Sequence, residues 1–173
     1  MQVRRLTPAN AAEYRAVMLR AYANEPHAFT ATVPERERLP LAWWAARVSD
    51  QPDAAQRVLG AFDGNRLAGV AGLRFEHRER TAHKASLFGV SVLPEFRGRG
   101  IARTLVEAVL EEARGVPGTA IVQLGFIEPN APALRLYESC GFVPFGTEPY
   151  AIKDGERFRS ILHMWREVGP HAA

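Results

Sequence analysis

The sequence is poor in three features that usually indicate a special class of protein. It has one cysteine, Cys140, which cannot form a disulfide within the chain and suits a reducing compartment, so we expect a cytoplasmic protein. It has two lysines and no block rich in basic residues, so we expect no nucleic acid partner. No apolar run approaches the roughly 18 residues that cross a membrane, and no signal peptide is evident, so we expect no membrane partner.

What remains is the composition of an ordinary globular protein. The 173 residues are 47% hydrophobic and 24% charged, with a small net charge of +3. This length predicts a single domain, residues 1–168, followed by a frayed tail, residues 169–173. No spacing of His, Cys and Asp predicts a metal site.

The order of strands and helices predicts an α/β or α+β fold. A first helix follows Thr7-Pro8 and runs to about Tyr22, whereas residues 24–40, with three prolines, are expected to be irregular. Further helices are predicted near residues 43–48, 101–114 and 130–140. Strands are predicted near residues 3–6, 56–62, 66–76, 83–92, 120–127, 142–150 and 157–165.

A glycine-bearing loop follows the fourth predicted strand and directly precedes an amphipathic helix. The first N–H groups of a helix have no internal partner and the helix dipole adds positive charge, so this junction predicts a phosphate site. Glycines let an anion approach the backbone closely, and the arginines add positive charge. The residues concerned are Arg97, Gly98, Arg99, Gly100, Ile101, Ala102 and Arg103.

Three kinds of phosphate ligand could use this loop. A Walker P-loop needs Gly-Lys-Ser/Thr, and the loop has no lysine. A dinucleotide fold needs a third glycine, where Arg103 stands, and an acidic residue about 20 positions later, which residues 119–124 lack. The third kind of ligand is the pyrophosphate of coenzyme A.

Two motifs resemble the signatures of the GNAT acetyltransferase family. Arg97-x-x-Gly100-x-Ala102 resembles its acyl-CoA signature, and the segment from Asn130 to Phe142 resembles Asn-x-x-Ala-x-x-Leu-Tyr-x-x-x-Gly-Phe. The resemblance implies an α+β fold with a mixed, mainly antiparallel central sheet of about seven strands, flanked by four helices. It covers residues 56–150 well and the first 55 residues in outline.

The resemblance also implies a cofactor, acetyl-CoA, bound along the fourth strand. Backbone N–H groups near Val90 and Val92 would bind it, Ser91 between them is also a cofactor-binding candidate, and Gly89 would mark a bulge. Asn130 and Ala133 would contact it from the next helix, and the Tyr137 hydroxyl would point at the sulfur. Because a tyrosine pKa of about 10 exceeds an alkyl thiol pKa of about 8.5, Tyr137 is expected to act partly as a hydrogen-bond donor.

The general base is not evident from the sequence. Many relatives place a glutamate where this chain has Ser86. Three alternatives remain: Glu76, His77 or His83 at the neighbouring strand ends; Glu128 at the end of the fifth strand; or a water chain with Ser86 as one link. Of these, water is favoured, with Glu128 as the best single side chain.

The resemblance implies an N-acetyltransferase, in which a primary amine attacks acetyl-CoA directly in a ternary complex. The acceptor could be a small amine, an antibiotic or a protein N-terminus, and residues 24–30 would cover its site. Phe29, Glu76 and Tyr150 are the substrate-binding candidates. The alternative is a non-catalytic acyl-CoA-binding module: Ser86 favours this alternative, whereas Tyr137 favours the enzyme. A homodimer would form through the C-terminal strands.

Overall fold

The computed structural model describes residues 1–169, and a seven-stranded sheet lies at its centre. The strand order is β1-β2-β3-β4-β5-β7-β6, and neighbours are antiparallel except β4 and β5, which are parallel. The predicted mixed, mainly antiparallel sheet is therefore confirmed. The strands are β1 (Gln2–Arg5), β2 (Gln56–Asp63), β3 (Arg66–Phe75), β4 (Lys84–Val92), β5 (Ile121–Ile127), β6 (Val143–Asp154) and β7 (Arg157–Glu167).

Within residues 1–169, five α-helices flank the sheet, one more than predicted. They are α1 (Ala11–Asn24), α2 (Val33–Glu37), α3 (Leu41–Arg47), α4 (Ile101–Arg114) and α5 (Ala131–Ser139). The extra helix, α2, lies in the segment that we expected to be irregular. Its first turn contains Pro34, and a capping box closes its start: Thr32 N–H donates to Glu35 Oε2 at 2.7 Å. A proline in the first turn begins this helix, whereas we took it as a sign of irregular structure.

The helices cover the central strands. β3 is buried from Leu67 to Leu73, and both α1 and α4 contact it. The buried face of α4 includes Ile101, Leu105 and Val109, as its apolar spacing predicted. Residues 1–169 contain no helix long and apolar enough to span a membrane.

The C-terminal end of the described chain adjoins β5. The N–H of Gly169 lies 3.3 Å from the carbonyl oxygen of Ala120, so this residue of the predicted tail contacts the body of the protein. The rest of that tail, residues 170–173, lies outside the described residues.

The sheet opens between its two parallel strands. β4 and β5 are paired only where Lys84 to Ser86 lie opposite Ile121 to Gln123. Beyond Ser86, β4 continues beside β3 alone. The remaining two thirds of β4 therefore borders a cleft, and this cleft positions the candidate site.

Candidate functional site

A groove of about 430 Å³ lies where β4 and β5 separate. β4 forms one wall, β5 and α5 form the other, and the segment after α1 contributes to its lining. The groove thus joins elements that are far apart in the sequence. Its lining includes Glu25, Ala28, Phe29, Leu87, Phe88, Gly89, Val90, Ser91, Val92, Arg97, Ala102, Leu124, Gly125, Phe126, Asn130, Pro132, Ala133, Leu136 and Tyr137.

A bulge in β4 turns two backbone N–H groups toward this groove. Gly89 has φ +61°, and the pairing of β4 with β3 shifts register there. Beyond the bulge, the Leu93 N–H donates to the carbonyl oxygen of Ala68 at 2.9 Å. Because an antiparallel ladder alternates paired and outward-pointing groups, the N–H groups of Val90 and Val92 point away from β3. They are therefore available on the side that β5 has left.

The loop before α4 has the backbone shape that an anion site needs. Gly98 has φ +75° and Gly100 has φ +74°, a left-handed conformation that favours glycine. A Cβ added to either residue would meet no protein atom within 4 Å. The left-handed backbone conformation therefore favours glycine at both positions. Neighbouring atoms do not require it, because the space beside both residues is open.

The arginines of the loop differ in what they contact. Arg97 lines the groove: its Nε donates to the carbonyl oxygen of Val92 at 3.1 Å, and it pairs with Glu25 at 2.9 Å. Arg99 pairs with Asp63 and Arg103 with Glu107, and neither is among the lining residues. The sequence grouped these three arginines, whereas the structure places one of them in the groove.

The first two residues of α4 lie in different surroundings. The Ile101 side chain is buried in the core, whereas Ala102 lines the groove. The N–H groups of this first helical turn have no carbonyl one turn earlier to bind. Any role of Ile101 in anion binding must therefore use its backbone and not its side chain.

Helix α5 supplies the opposite wall. Asn130 caps the helix, with its side-chain oxygen accepting from the Ala133 N–H at 3.1 Å. The Tyr137 ring lies between Phe126 and Phe142, with ring centres 5.7 and 6.0 Å away. Burial, with a smaller contribution from Cys140, raises the pKa of Tyr137 to about 12. Tyr137 is therefore a neutral phenol at ordinary pH.

Four of the residues predicted for catalysis or substrate binding do not line the groove. Ser86 lies on β4 opposite Arg74 of β3, before the strands separate. Glu128 lines another cavity, with Arg157 and Ser160. Glu76 follows β3, and its backbone N–H donates to the carbonyl oxygen of Lys84 at 3.1 Å.

Tyr150 is the fourth of these residues. It is 75% exposed, and its ring contacts Phe158. Its φ of +57° is unusual for a residue with a side chain. It lies on the edge strand β6 and, unlike the substrate-binding candidate Phe29, is not among the residues that line the groove.

The sequence missed most of the apolar wall. Leu124, Gly125 and Phe126 line the groove from β5, and Leu136 lines it from α5. A prediction that β5 runs parallel to β4 could have identified the β5 residues, but we did not predict strand pairing residue by residue from the sequence. The carboxylate that lines the groove, Glu25, is paired with Arg97. In the described part of the chain, no cluster of three His, Cys, Asp or Glu side chains could hold a metal ion.

Comparison with known proteins places this geometry in context. The model of the acetyltransferase (GNAT) family matches residues 17–142. The L-amino acid N-acetyltransferase AaaT of Escherichia coli (strain K12) is 31% identical over 114 residues, 65% of this chain and 68% of that protein.

Solved structures share the fold over nearly the whole chain. An acetyltransferase of the GNAT family from Streptococcus pneumoniae has a TM-score of 0.86 at 24% identity, covering 97% of this chain and 99% of that one. The structure of yncA from Salmonella typhimurium with its cofactor acetyl-CoA has a TM-score of 0.80 at 24% identity, covering 100% and 96%.

Proposed function

Because the chain belongs to the acetyltransferase (GNAT) family and is an acetyl-CoA-dependent N-acetyltransferase, we propose that it acetylates the primary amine of a small molecule or peptide by direct attack in a ternary complex. The observation that carries this proposal is the groove between β4 and β5. It brings the outward N–H groups of Val90 and Val92, the loop before α4 and Tyr137 to one place. We also propose that residues 1–168 form a single domain.

The residues present fit the donor. Acetyl-CoA supplies an acetyl group that is activated as a thioester. The open backbone at Gly98 and Gly100, with the first N–H groups of α4, would hold the pyrophosphate. Val90, Ser91 and Val92 would bind the donor along β4, with Asn130 and Ala133 on the facing wall. Arg97 would add one positive charge at the loop.

The N–H groups of Val90 and Val92 would stabilise the negative charge that develops on the thioester oxygen during attack. Fixed backbone donors do this well because they need no reorganisation. Gly89 matters here because its positive φ turns these groups outward. The bulge is therefore a functional feature of β4 in this proposal.

Tyr137 would donate a hydrogen bond to the departing sulfur. Its pKa of about 12 lies well above that of an alkyl thiol, about 8.5, so complete proton transfer is uphill by roughly 5 kcal/mol. A hydrogen bond stabilises the thiolate without that cost. We therefore assign Tyr137 as a hydrogen-bond donor and not as a full general acid.

Direct attack agrees with the position of the one thiol. Cys140 is buried, and burial raises its pKa. It lies at the end of α5 among residues of a different cavity. A covalent acyl-cysteine would need an exposed and ionised thiol in the groove.

Water is our proposed route for the proton of the amine. Glu25, the acid in the groove, is engaged by Arg97, and Glu128 lies in another cavity. Ser86 would serve as one link toward solvent. The lack of a free acid in the groove lining also favours the second candidate function, a non-catalytic acyl-CoA-binding module.

Thiol release from acetyl-CoA against a panel of primary amines tests the two candidates. An enzyme releases coenzyme A only when a suitable amine is present. Calorimetry with acetyl-CoA provides the second measurement. Tight binding with no release on any amine would support the binding module.

A homodimer through the C-terminal strands completes the proposal. β6 is an edge strand, and exposed apolar side chains on β6 and β7 support an interface there. They are Val143, Phe145, Tyr150 and Phe158. Light scattering of the chain and of Phe145→Glu measures the oligomeric state, and a monomer in both samples would remove the dimer.

A further inference from the structure

We propose that the acceptor is a small primary amine that carries a carboxylate close to its nitrogen, and that Arg36, Arg47 and Arg74 bind this carboxylate. The inference rests on the proposed function, because it names the substrate class of the same site. Three observations support it: a cavity next to the groove, arginines around that cavity that form no ion pair within residues 1–169, and aromatic rings that contact two of them.

A second cavity, of about 240 Å³, adjoins the groove between β4 and β5. The two share Phe29, Phe88 and Gly89 in their linings. Gly89 is the bulge residue, so the cavity meets the groove beside the outward N–H groups of β4. A ligand in the cavity could therefore place an amine near the thioester. We call this space the arginine cavity, after Arg36, Arg47 and Arg74.

The arginine cavity has positive charge without a matching negative charge. None of its lining residues is acidic. Within residues 1–169, no ion pair involves any of its three arginines. The loop arginines Arg97 and Arg99, by contrast, each pair with a carboxylate.

Two polar atoms of this cavity are buried and lack a partner. They are Nε of Arg36 and Oε1 of Gln56. A buried donor without a hydrogen bond destabilises the unliganded protein, so a ligand that accepts from it gains affinity. The nearby Tyr22 cannot neutralise the cations, because burial, with a contribution from Tyr14, raises its pKa.

Aromatic rings hold two of the cations in place. The guanidinium groups of Arg36 and Arg47 lie 4.8 and 4.7 Å from the centre of the Trp43 ring. Arg47 also lies 5.1 Å from the ring of Phe88. The Phe88 ring in turn needs Gly72, where an added Cβ would come within 2.3 Å of it. The cations are thus positioned before a ligand binds, which lowers the entropy cost of binding.

A carboxylate is the group that this arrangement suits. A guanidinium binds a carboxylate through two parallel hydrogen bonds, and such charge-assisted bonds are strong. A polycationic amine would be repelled. The N-terminus of a protein has no free carboxylate beside its amine, whereas a free amino acid has one. The arginine cavity therefore favours a free amino acid over a polycationic amine and over a protein N-terminus.

Matched acceptor pairs test the proposal. Thiol release is measured with free L-amino acids and with their carboxamides, which keep the amine and side chain but lose the charge. We expect the best acids to have kcat/KM at least about tenfold above their amides. Equal rates for acids and amides would overturn the proposal while leaving the acetyltransferase activity in place.

Variants then assign the preference to the cavity. Arg47→Gln and Arg74→Gln should lose the preference for the acid mainly through KM, and Arg38→Gln should keep it. Arg38 is exposed and does not line the arginine cavity, so it is a matched control from the same region. Arg74 is also exposed, so its substitution should fold even if Arg47→Gln does not. An unchanged preference in both folded variants contradicts the proposal.

A binding measurement is independent of turnover. Calorimetry compares N-acetyl-L-leucine with N-acetyl-L-leucinamide on the protein saturated with coenzyme A. We expect the acid to bind at least about tenfold more tightly, and Arg74→Gln to abolish the difference. If no amine is acetylated but this difference is present, the proposed function fails and the carboxylate site stands. Equal binding of the two compounds rejects the carboxylate site.

Discussion

The groove between β4 and β5 and the arginine cavity adjoin each other, but they are built in different ways. The groove uses backbone: outward N–H groups at Val90 and Val92, and left-handed glycines before α4. The arginine cavity uses long side chains from α2, α3 and β3. A backbone site binds what every reaction of the family shares, whereas side chains on separate elements can change with the acceptor. The difference predicts that glycine substitutions change donor affinity and arginine substitutions change acceptor choice.

Gly100→Val tests the backbone site and should have the largest effect. Valine is strained at φ +74°, and a strain of about 2 kcal/mol that binding must restore converts to an affinity loss of about thirtyfold. Calorimetry with acetyl-CoA measures the loss. Gly64→Val is the matched control, because Gly64 also has a positive φ, +59°, and open space around it. Equal losses in both variants would mean that the loop conformation is not specific to donor binding.

Tyr137→Phe separates chemistry from binding in the same groove. Losing one neutral hydrogen bond to the sulfur should lower kcat by about tenfold, whereas losing a general acid would cost about a hundredfold or more. The dissociation constant of acetyl-CoA should stay within about twofold, because the phenyl ring still packs between the same neighbours. Stopped assays at saturating substrate give kcat. Unchanged turnover would remove Tyr137 from the mechanism.

The same residue predicts a pH effect on stability. The pKa of Tyr137 is about 12 in the folded state, above the ordinary value near 10. The stabilisation of the folded state by the protonated Tyr137 is therefore complete below about pH 10. It decreases as the pH rises toward 12, because Tyr137 loses its proton at a lower pH in the unfolded chain than in the folded one. Between pH 9 and 11, this should lower the free energy of unfolding by roughly 1.4 kcal/mol more in the wild type than in Tyr137→Phe. Urea unfolding at both pH values measures the difference, and parallel curves would contradict it.

Local sequence motifs explain why the groove could be predicted and the arginine cavity could not. The loop at Gly98 and Gly100 and the helix from Asn130 to Tyr137 are contiguous segments, so glycine, capping and spacing rules apply to them directly. The seven strands and four of the five helices followed from the same kind of pattern, whereas the mixed sheet and the cofactor's place along β4 were implied by the resemblance to the GNAT family. Arg36, Arg47 and Arg74 come from three separate elements, and only packing brings them together. Nothing in the sequence around them distinguishes them from the chain's other arginines.

Arg97→Gln distinguishes the one loop arginine in the groove from its neighbours. It removes the bond to the Val92 carbonyl and the ion pair with Glu25. The Arg97 side chain is solvent-exposed, and an exposed charge contributes little interaction energy. We therefore expect the loss of this charge to lower acetyl-CoA affinity by only about fivefold. Arg99→Gln, whose partner is Asp63, should change it by less than about twofold. Equal effects would show that the loop uses its total charge and not one positioned side chain.

Glu128→Gln should have the smallest effect, and it tests whether an acid outside the groove acts as the general base. Glu128 lines a cavity with Arg157 and Ser160, and it is not among the residues that line the groove. If water carries the proton of the amine, kcat/KM should stay within about twofold across the pH range, because no reacting atom loses a partner. Glu25→Gln is the companion variant, since its acid does line the groove but is engaged by Arg97. Loss of the acidic limb of the pH profile in Glu128→Gln alone would make Glu128 the base, because a general base must be deprotonated to act. The acceptor would then have to reach past β5 into a cavity that Arg36, Arg47 and Arg74 do not border.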